Sequence, residues 1–229
     1  MDEFLYERDK APCGVAVELI YGADDKSAKV WKLFAMQILS ESEGDYRAVS
    51  HLDNGAPILD GTPQRISISH TSHFLAMASL PKTPDMNLEE VNERTAMGID
   101  IEKSDRAQVL RIKEKFLSDK EFDLLPSVEK EEDASDEDIK RHILAWTCKE
   151  ALYKAVMGQS ADWKNDYTLI TLPKIASKIK DATTEKYGEA KITLHDPERV
   201  INMHLSSWEA EGHVLTLAFS PKIAKFPVG

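Results

Sequence analysis

The segment 139–157 limits the fold more than any other part of the chain. Its apolar residues recur at helical spacing, and Gly158 ends it. Leu144, Cys148, Ala151, Leu152 and Ala155 cover much of one side and suit burial. Trp146, Glu150 and Lys154 stand four apart and share a different face. Most other patterned segments read as strands. Alternation points to strands over 14–21, 65–69, 74–80 and 95–102, and to further strands over 166–171, 191–194, 200–205 and 214–220. A second long helix is expected over 26–40 behind Asp24 and Asp25. Shorter helices are expected over 107–116 and 118–125. In the latter, Ser118 sits at the cap and Glu121 at the capping-box position. The acidic run 129–138 reads as a solvated loop leading into the long helix. Two prolines and mixed polar residues make 81–92 a linker. The fold class is α+β, in two halves, 1–94 and 95–229.

Charge and cysteine usage narrow the function. The formal charge is −11, which disfavours a general nucleic-acid binder. An acidic chain can still hold anions where a metal or a few cations are concentrated. Cys13 and Cys148 are the only cysteines, too few for a disulfide framework or a four-cysteine zinc site. The start of the chain lacks the basic and apolar pattern of a secretory signal, and no apolar run is long enough to cross a bilayer. A cytoplasmic protein with no membrane association is expected, working as a monomer.

Three places could carry chemistry. In Gly98-Ile99-Asp100-Ile101-Glu102, strand alternation sends Ile99 and Ile101 to one face and both acids to the other. Two carboxylates so close repel unless a cation lies between them, and Mg²⁺ suits such a pair. The pair is weak evidence alone: 40 acidic residues in 229 give about seven acid-x-acid pairs by chance. The second place is the face of Trp146, Glu150 and Lys154, which in isolation is also an ordinary Glu–Lys pair on a wet helix. The third is Ile66-Ser67-Ile68-Ser69-His70-Thr71-Ser72-His73, a strand ending in hydroxyls and histidines that could donate to phosphate oxygens. His73 reads as a turn residue.

Taken together, these segments resemble the 4′-phosphopantetheinyl transferase superfamily, in its larger two-halved form. Ile68-Ser69-His70-Thr71 is similar to the family's Ser-His-Ser/Thr element. Gly98–Glu102 resembles its Gly-[Ile/Val]-Asp-[Ile/Val]-Glu strand, and Trp146–Lys154 its Trp-[Ser/Thr]-x-Lys-Glu-[Ala/Ser]-x-x-Lys helix. Phe116–Glu121 resembles the intervening Phe-x-Ser-x-x-Glu segment, and Gly55-Ala56-Pro57 an upstream turn.

The resemblance implies a pseudo-twofold α+β fold, each half a small antiparallel sheet packed on a long helix, with coenzyme A in the cleft between them. It implies transfer of 4′-phosphopantetheine from coenzyme A to a serine of an apo acyl or peptidyl carrier protein, as a holo-[acyl-carrier-protein] synthase does. Adenosine 3′,5′-bisphosphate leaves. Asp100, Glu102 and Glu150 would hold Mg²⁺. Ser69, His70, Lys149 and Lys154 would hold the coenzyme, His70 from the first half. Glu150 or Glu121 would take the serine proton, Glu150 being favoured by its helix position. Lys103, Arg106, Arg111, Lys113 and Lys115 are candidate contacts for an acidic carrier. Two other readings use the same residues: a Mg²⁺-dependent hydrolase of the coenzyme A diphosphate, and a non-catalytic module that binds coenzyme A or a carrier.

Overall fold

The computed structural model describes residues 4–11, 15–22, 49–51, 57–59, 65–80, 96–160, 162–181, 186–195 and 198–222. The helix expected over 26–40, the linker 81–92 and the Gly55-Ala56 turn lie outside them. Described residues form mixed α and β structure with antiparallel sheets. Strands β1 (Phe4–Lys10), β2 (Ala16–Gly22), β5 (Ile66–His70) and β6 (Phe74–Ser79) build one sheet in the order β1-β2-β6-β5. A short hairpin pairs β3 (Val49–His51) with β4 (Pro57–Leu59). The second sheet runs β7 (Met97–Lys103), β12 (His213–Phe219), β11 (Glu198–Ala210), β10 (Gly188–His195), β8 (Tyr167–Thr171). The two-residue β9 (Ile175–Ala176) lies beside β11. Helices α1 (Val109–Phe116), α2 (Asp119–Phe122) and α3 (Asp136–Ala155) lie between β7 and β8 in sequence.

Alternation along β7 decides what each of its faces meets. Met97, Ile99 and Ile101 join a core with Val17 and Leu19 of β2, Phe74, Ala76 and Ala78 of β6, and Trp208. That core lies between the two sheets. Burying each large apolar side chain there is worth about 1.5–3 kcal/mol. Residues Gly98, Asp100 and Glu102 face the other way, towards α3. There Leu144, Cys148, Ala151 and Leu152 pack with Leu205, Val214 and Ala218 in a second core. Gly98 is where strand and helix cross. A Cβ on it would lie 2.1 Å from the Ala151 carbonyl oxygen and 2.6 Å from the Ala155 nitrogen, so any larger residue would force the helix off the sheet.

Helix α3 begins earlier than the sequence suggests. Asp136, Glu137 and Asp138 form its first turn rather than a loop. The Ser135 N–H donates to Asp138 Oδ2 at 2.9 Å, and the Asp138 N–H to Ser135 Oγ at 3.2 Å. This capping box closes on the positive end of the helix dipole, where acids are stabilised. At the other end, Gly158 has φ 68° and returns its N–H to the Tyr153 carbonyl at 3.0 Å, a left-handed stop that glycine adopts without strain.

The sheets meet along β5 and β7 through side chains rather than a ladder. Ile99 N–H donates to Ser67 Oγ at 3.0 Å, and Ile101 N–H to Ser69 Oγ at 3.4 Å. Both serines are buried. Their hydroxyls satisfy the N–H groups on the edge of β7 that β12 does not reach, so this buried edge is not left unpaired.

Candidate active site

Asp100 sits mid-β7, opposite Thr216 of β12, and is 5 % exposed. One of its oxygens takes two donors. Ser69 Oγ donates to Oδ1 at 2.7 Å, and Lys154 Nζ lies 2.6 Å from the same atom. Ser69 comes from the first sheet and Lys154 from the last turn of α3, so three elements converge on one carboxylate. Glu102, two residues on, is engaged differently. Its Oε2 bonds Arg106, and its Oε1 accepts the Lys103 N–H at 2.9 Å.

Glu150 lies one turn before Lys154 on α3 and is half-buried. Its carboxyl is pushed up to about 7, first by burial, next by the negative charge of Asp100. Lys154 opposes the shift and Glu102 adds to it. Its carboxylate accepts no hydrogen bond among the described residues, although charge crowds it. Also among the described residues, no three His, Cys, Asp or Glu side chains are gathered at metal-ligand spacing. The donor chemistry nevertheless fits a hard cation: three carboxylates repel one another, and Glu150 offers free oxygens. Mg²⁺ takes such oxygens and fills its shell with water and phosphate.

Lys149 and Glu121 are placed elsewhere. Lys149 Nζ lies 2.7 Å from Glu121 Oε1 and 2.9 Å from Oε2, and both side chains are sealed from solvent. Lys149 also donates to the Trp163 carbonyl at 2.9 Å and to that of Tyr167. Glu121 Oε1 accepts the Leu169 N–H at 2.6 Å, and Oε2 the Ser118 N–H at 2.7 Å. Burial pulls the Lys149 ammonium down, with Glu121 opposing. This pair ties α2, α3 and β8 together. The expected capping box of Ser118 and Glu121 is present, with a buried lysine added to it.

His70 ends β5 and is exposed. His73 shares a bend with Ser72, whose Oγ is 2.9 Å from Nδ1. Of the cations considered for a carrier, Arg106 is bound to Glu102, Arg111 Nη2 donates to Glu131 at 3.1 Å, and Lys113 donates to the Val128 carbonyl. Beside Glu102 and Arg106 a slot of about 150 Å³ opens between α1 and α3, walled by Val109, Ile112, Ile143 and Trp146. Trp146 stacks on Trp163 and meets Phe116 edge-on.

Sequence reasoning passed over Arg65. Its guanidinium is buried, and Nη2 donates to the carbonyls of Met97, Lys154 and Ala155. A signal was present: Arg65, Ser67 and Ser69 alternate with Ile66 and Ile68, a polar stripe of period two on one strand.

No helix among the described residues is long and apolar enough to cross a membrane. No curated protein matches the chain. A family model described as the 4′-phosphopantetheinyl transferase superfamily matches residues 96–218, more than half of the chain, a span that contains β7, α3 and the second sheet but for the last residue of β12. The chain belongs to the 4′-phosphopantetheinyl transferase superfamily.

Proposed function

We propose that this chain is a member of the larger, two-halved type, divided near residues 94 and 95. In this reading it is cytoplasmic, works as a monomer, and transfers 4′-phosphopantetheine from coenzyme A to a serine of an apo carrier protein. The serine oxygen forms a bond to the phosphorus that carries pantetheine. The bond from that phosphorus to the bridging diphosphate oxygen breaks, and adenosine 3′,5′-bisphosphate leaves with the electron pair. Mg²⁺ held by Asp100, Glu102 and Glu150 would neutralise charge gathering on the diphosphate.

The chain's own groups have separable tasks. Lys154 brings a cation to the same place, already aimed by its 2.6 Å contact with Asp100. Ser69 holds Asp100 in position, and exposed His70 is free to meet a phosphate from the first half. Glu150 is the better acceptor for the serine proton, because both oxygens of Glu121 are occupied by buried donors. The apolar slot beside Glu102 suits the uncharged pantetheine arm. Lys115 and Arg111, both exposed on α1, are candidates for the carrier's acidic surface.

The observation that carries this reading is Glu150, a half-buried carboxylate among like charges, one turn from a lysine that is already paired. Incubation with coenzyme A, Mg²⁺ and a panel of apo carriers, followed by intact mass, tests it. The expected result is one added phosphopantetheine. Release of free phosphopantetheine without acceptor would mean a hydrolase, and tight coenzyme A binding without turnover a binding module. Either result, with no mass gain on any carrier, overturns the transferase reading.

A further inference from the structure

We infer that Arg65 is a positioning residue that aims Lys154 by clamping the last turn of α3 to the start of β7. The inference rests on the reading of Lys154 given above.

Arg65 stands just before β5, in the first sheet. Its Nη2 lies 2.8 Å from the Ala155 carbonyl, 2.9 Å from that of Lys154 and 3.3 Å from that of Met97. The first two are carbonyls at the end of α3: that of Lys154 also accepts the Met157 N–H at 3.1 Å, and that of Ala155 is one of the last carbonyls, which a helix leaves short of partners. A cation there also meets the negative end of the helix dipole. The third carbonyl belongs to β7, three residues before Asp100. One side-chain atom therefore spans the backbone of Lys154 and the strand of the carboxylate that Lys154 touches.

Arg65 lacks the features of a simple surface anchor. It is 4 % exposed, and its Nε is buried without a hydrogen-bond partner. Burial brings the guanidinium down to about 10, with no carboxylate offsetting it. Such a site is costly to keep, and an apolar residue would fill it at lower cost. What the cation provides is fixed geometry: the two N–H bonds of one planar nitrogen, shared among carbonyls from two elements. Gly98 makes the arrangement possible, since the helix end rests directly on its Cα. Along β5, Ser67 and Ser69 continue the contact with β7 towards Asp100, while Arg65 reaches the end of α3.

A double-mutant cycle tests this. Arg65→Met and Lys154→Met are made singly and together, and kcat is measured at saturating coenzyme A and carrier on variants verified as folded. Arg65→Met alone is expected to lower kcat about tenfold to a hundredfold. In the Lys154→Met background it should cost no more than about twofold, because the group it aims is gone. Equal losses in both backgrounds would overturn the proposal, since general loosening acts with or without Lys154. Arg65→Lys, which keeps the charge and can still reach a carbonyl, should recover part of kcat. If neither Arg65→Met nor Arg65→Lys folds, the residue holds up the fold rather than aiming an amine, and the proposal also falls. If wild-type protein transfers nothing, the same cycle is read as coenzyme A affinity by calorimetry. Coupling there retains the clamp while the transfer reading fails, and additivity removes the clamp.

Discussion

Two of the lysine–carboxylate pairs on helix α3, those of Lys149 and Lys154, stand five residues apart and so about 140° apart around the axis. Lys149–Glu121 is closed to solvent, at 0 % and 1 % side-chain exposure. Lys154–Asp100 is open on the lysine side, at 26 % and 7 %. In the first, the charged atoms are surrounded by additional protein donors and acceptors. In the second, the ammonium remains partly accessible and the neighbouring Glu150 accepts no bond among the described residues. The same chemical pairing therefore serves two purposes. The sealed pair is saturated and fixes α2, α3 and β8, whereas the open one keeps capacity for a ligand.

The largest expected effect falls on the sealed pair. Lys149→Met leaves Glu121 charged and buried, and a loss of about 3–5 kcal/mol is expected in urea unfolding. A loss below about 1 kcal/mol would mean that water reaches the pair, and the contrast between the two sites would disappear. Lys154→Met should behave in the opposite way. Unfolding free energy should move by about 1 kcal/mol or less, as for a partly exposed ion pair. Transfer should fall by roughly a hundredfold, or about 2.7 kcal/mol of transition-state stabilisation. Lys154→Met unfolding as readily as Lys149→Met would make both pairs scaffold.

This division was only partly legible in the sequence. Alternation in Gly98–Glu102 separated the isoleucines from the acids because a strand has one period and two faces. The four-residue spacing of Trp146, Glu150 and Lys154 likewise gave a true common face. Lys149 could not be placed in this way. It sits beside Glu150 in the chain, and only the approach of Glu121, Trp163 and Tyr167 shows that it is buried. The start of α3 was misplaced because an acidic run resembles a loop until Ser135 is recognised as a cap. Arg65 was missed because its partners are backbone carbonyls, which leave no trace in side-chain patterns. Nor does the sequence show that Ser69 bonds a carboxylate as well as supporting a strand edge.

A pH titration separates the sites with a smaller effect. Glu150 in the folded protein titrates near 7, against an ordinary 4.5. A raised carboxyl binds its proton more tightly when folded, so its stabilising contribution is complete below about pH 4.5 and lost as pH rises through 7. Between pH 5 and 8 the metal-free protein, kept in chelator, should lose about 2–3 kcal/mol from this group. Glu150→Gln should flatten that slope, and Mg²⁺ should restore wild-type stability at pH 8. A slope unchanged by Glu150→Gln would place the crowded charge elsewhere.

The smallest effect lies in the two serines that join the sheets. Ser67 and Ser69 each accept a β7 N–H, but Ser69 alone also donates to Asp100. Replacing either with alanine leaves a buried N–H without its acceptor and should cost about 1–2 kcal/mol. The two should therefore look alike in thermal unfolding. In transfer assays they should differ. Ser67→Ala should keep near-normal kcat, whereas Ser69→Ala frees Asp100 to rotate on its remaining contact with Lys154 and should lose about tenfold. Equal kcat for the two variants would mean that Lys154 alone suffices to orient Asp100, and that the β5 edge contributes support rather than aim.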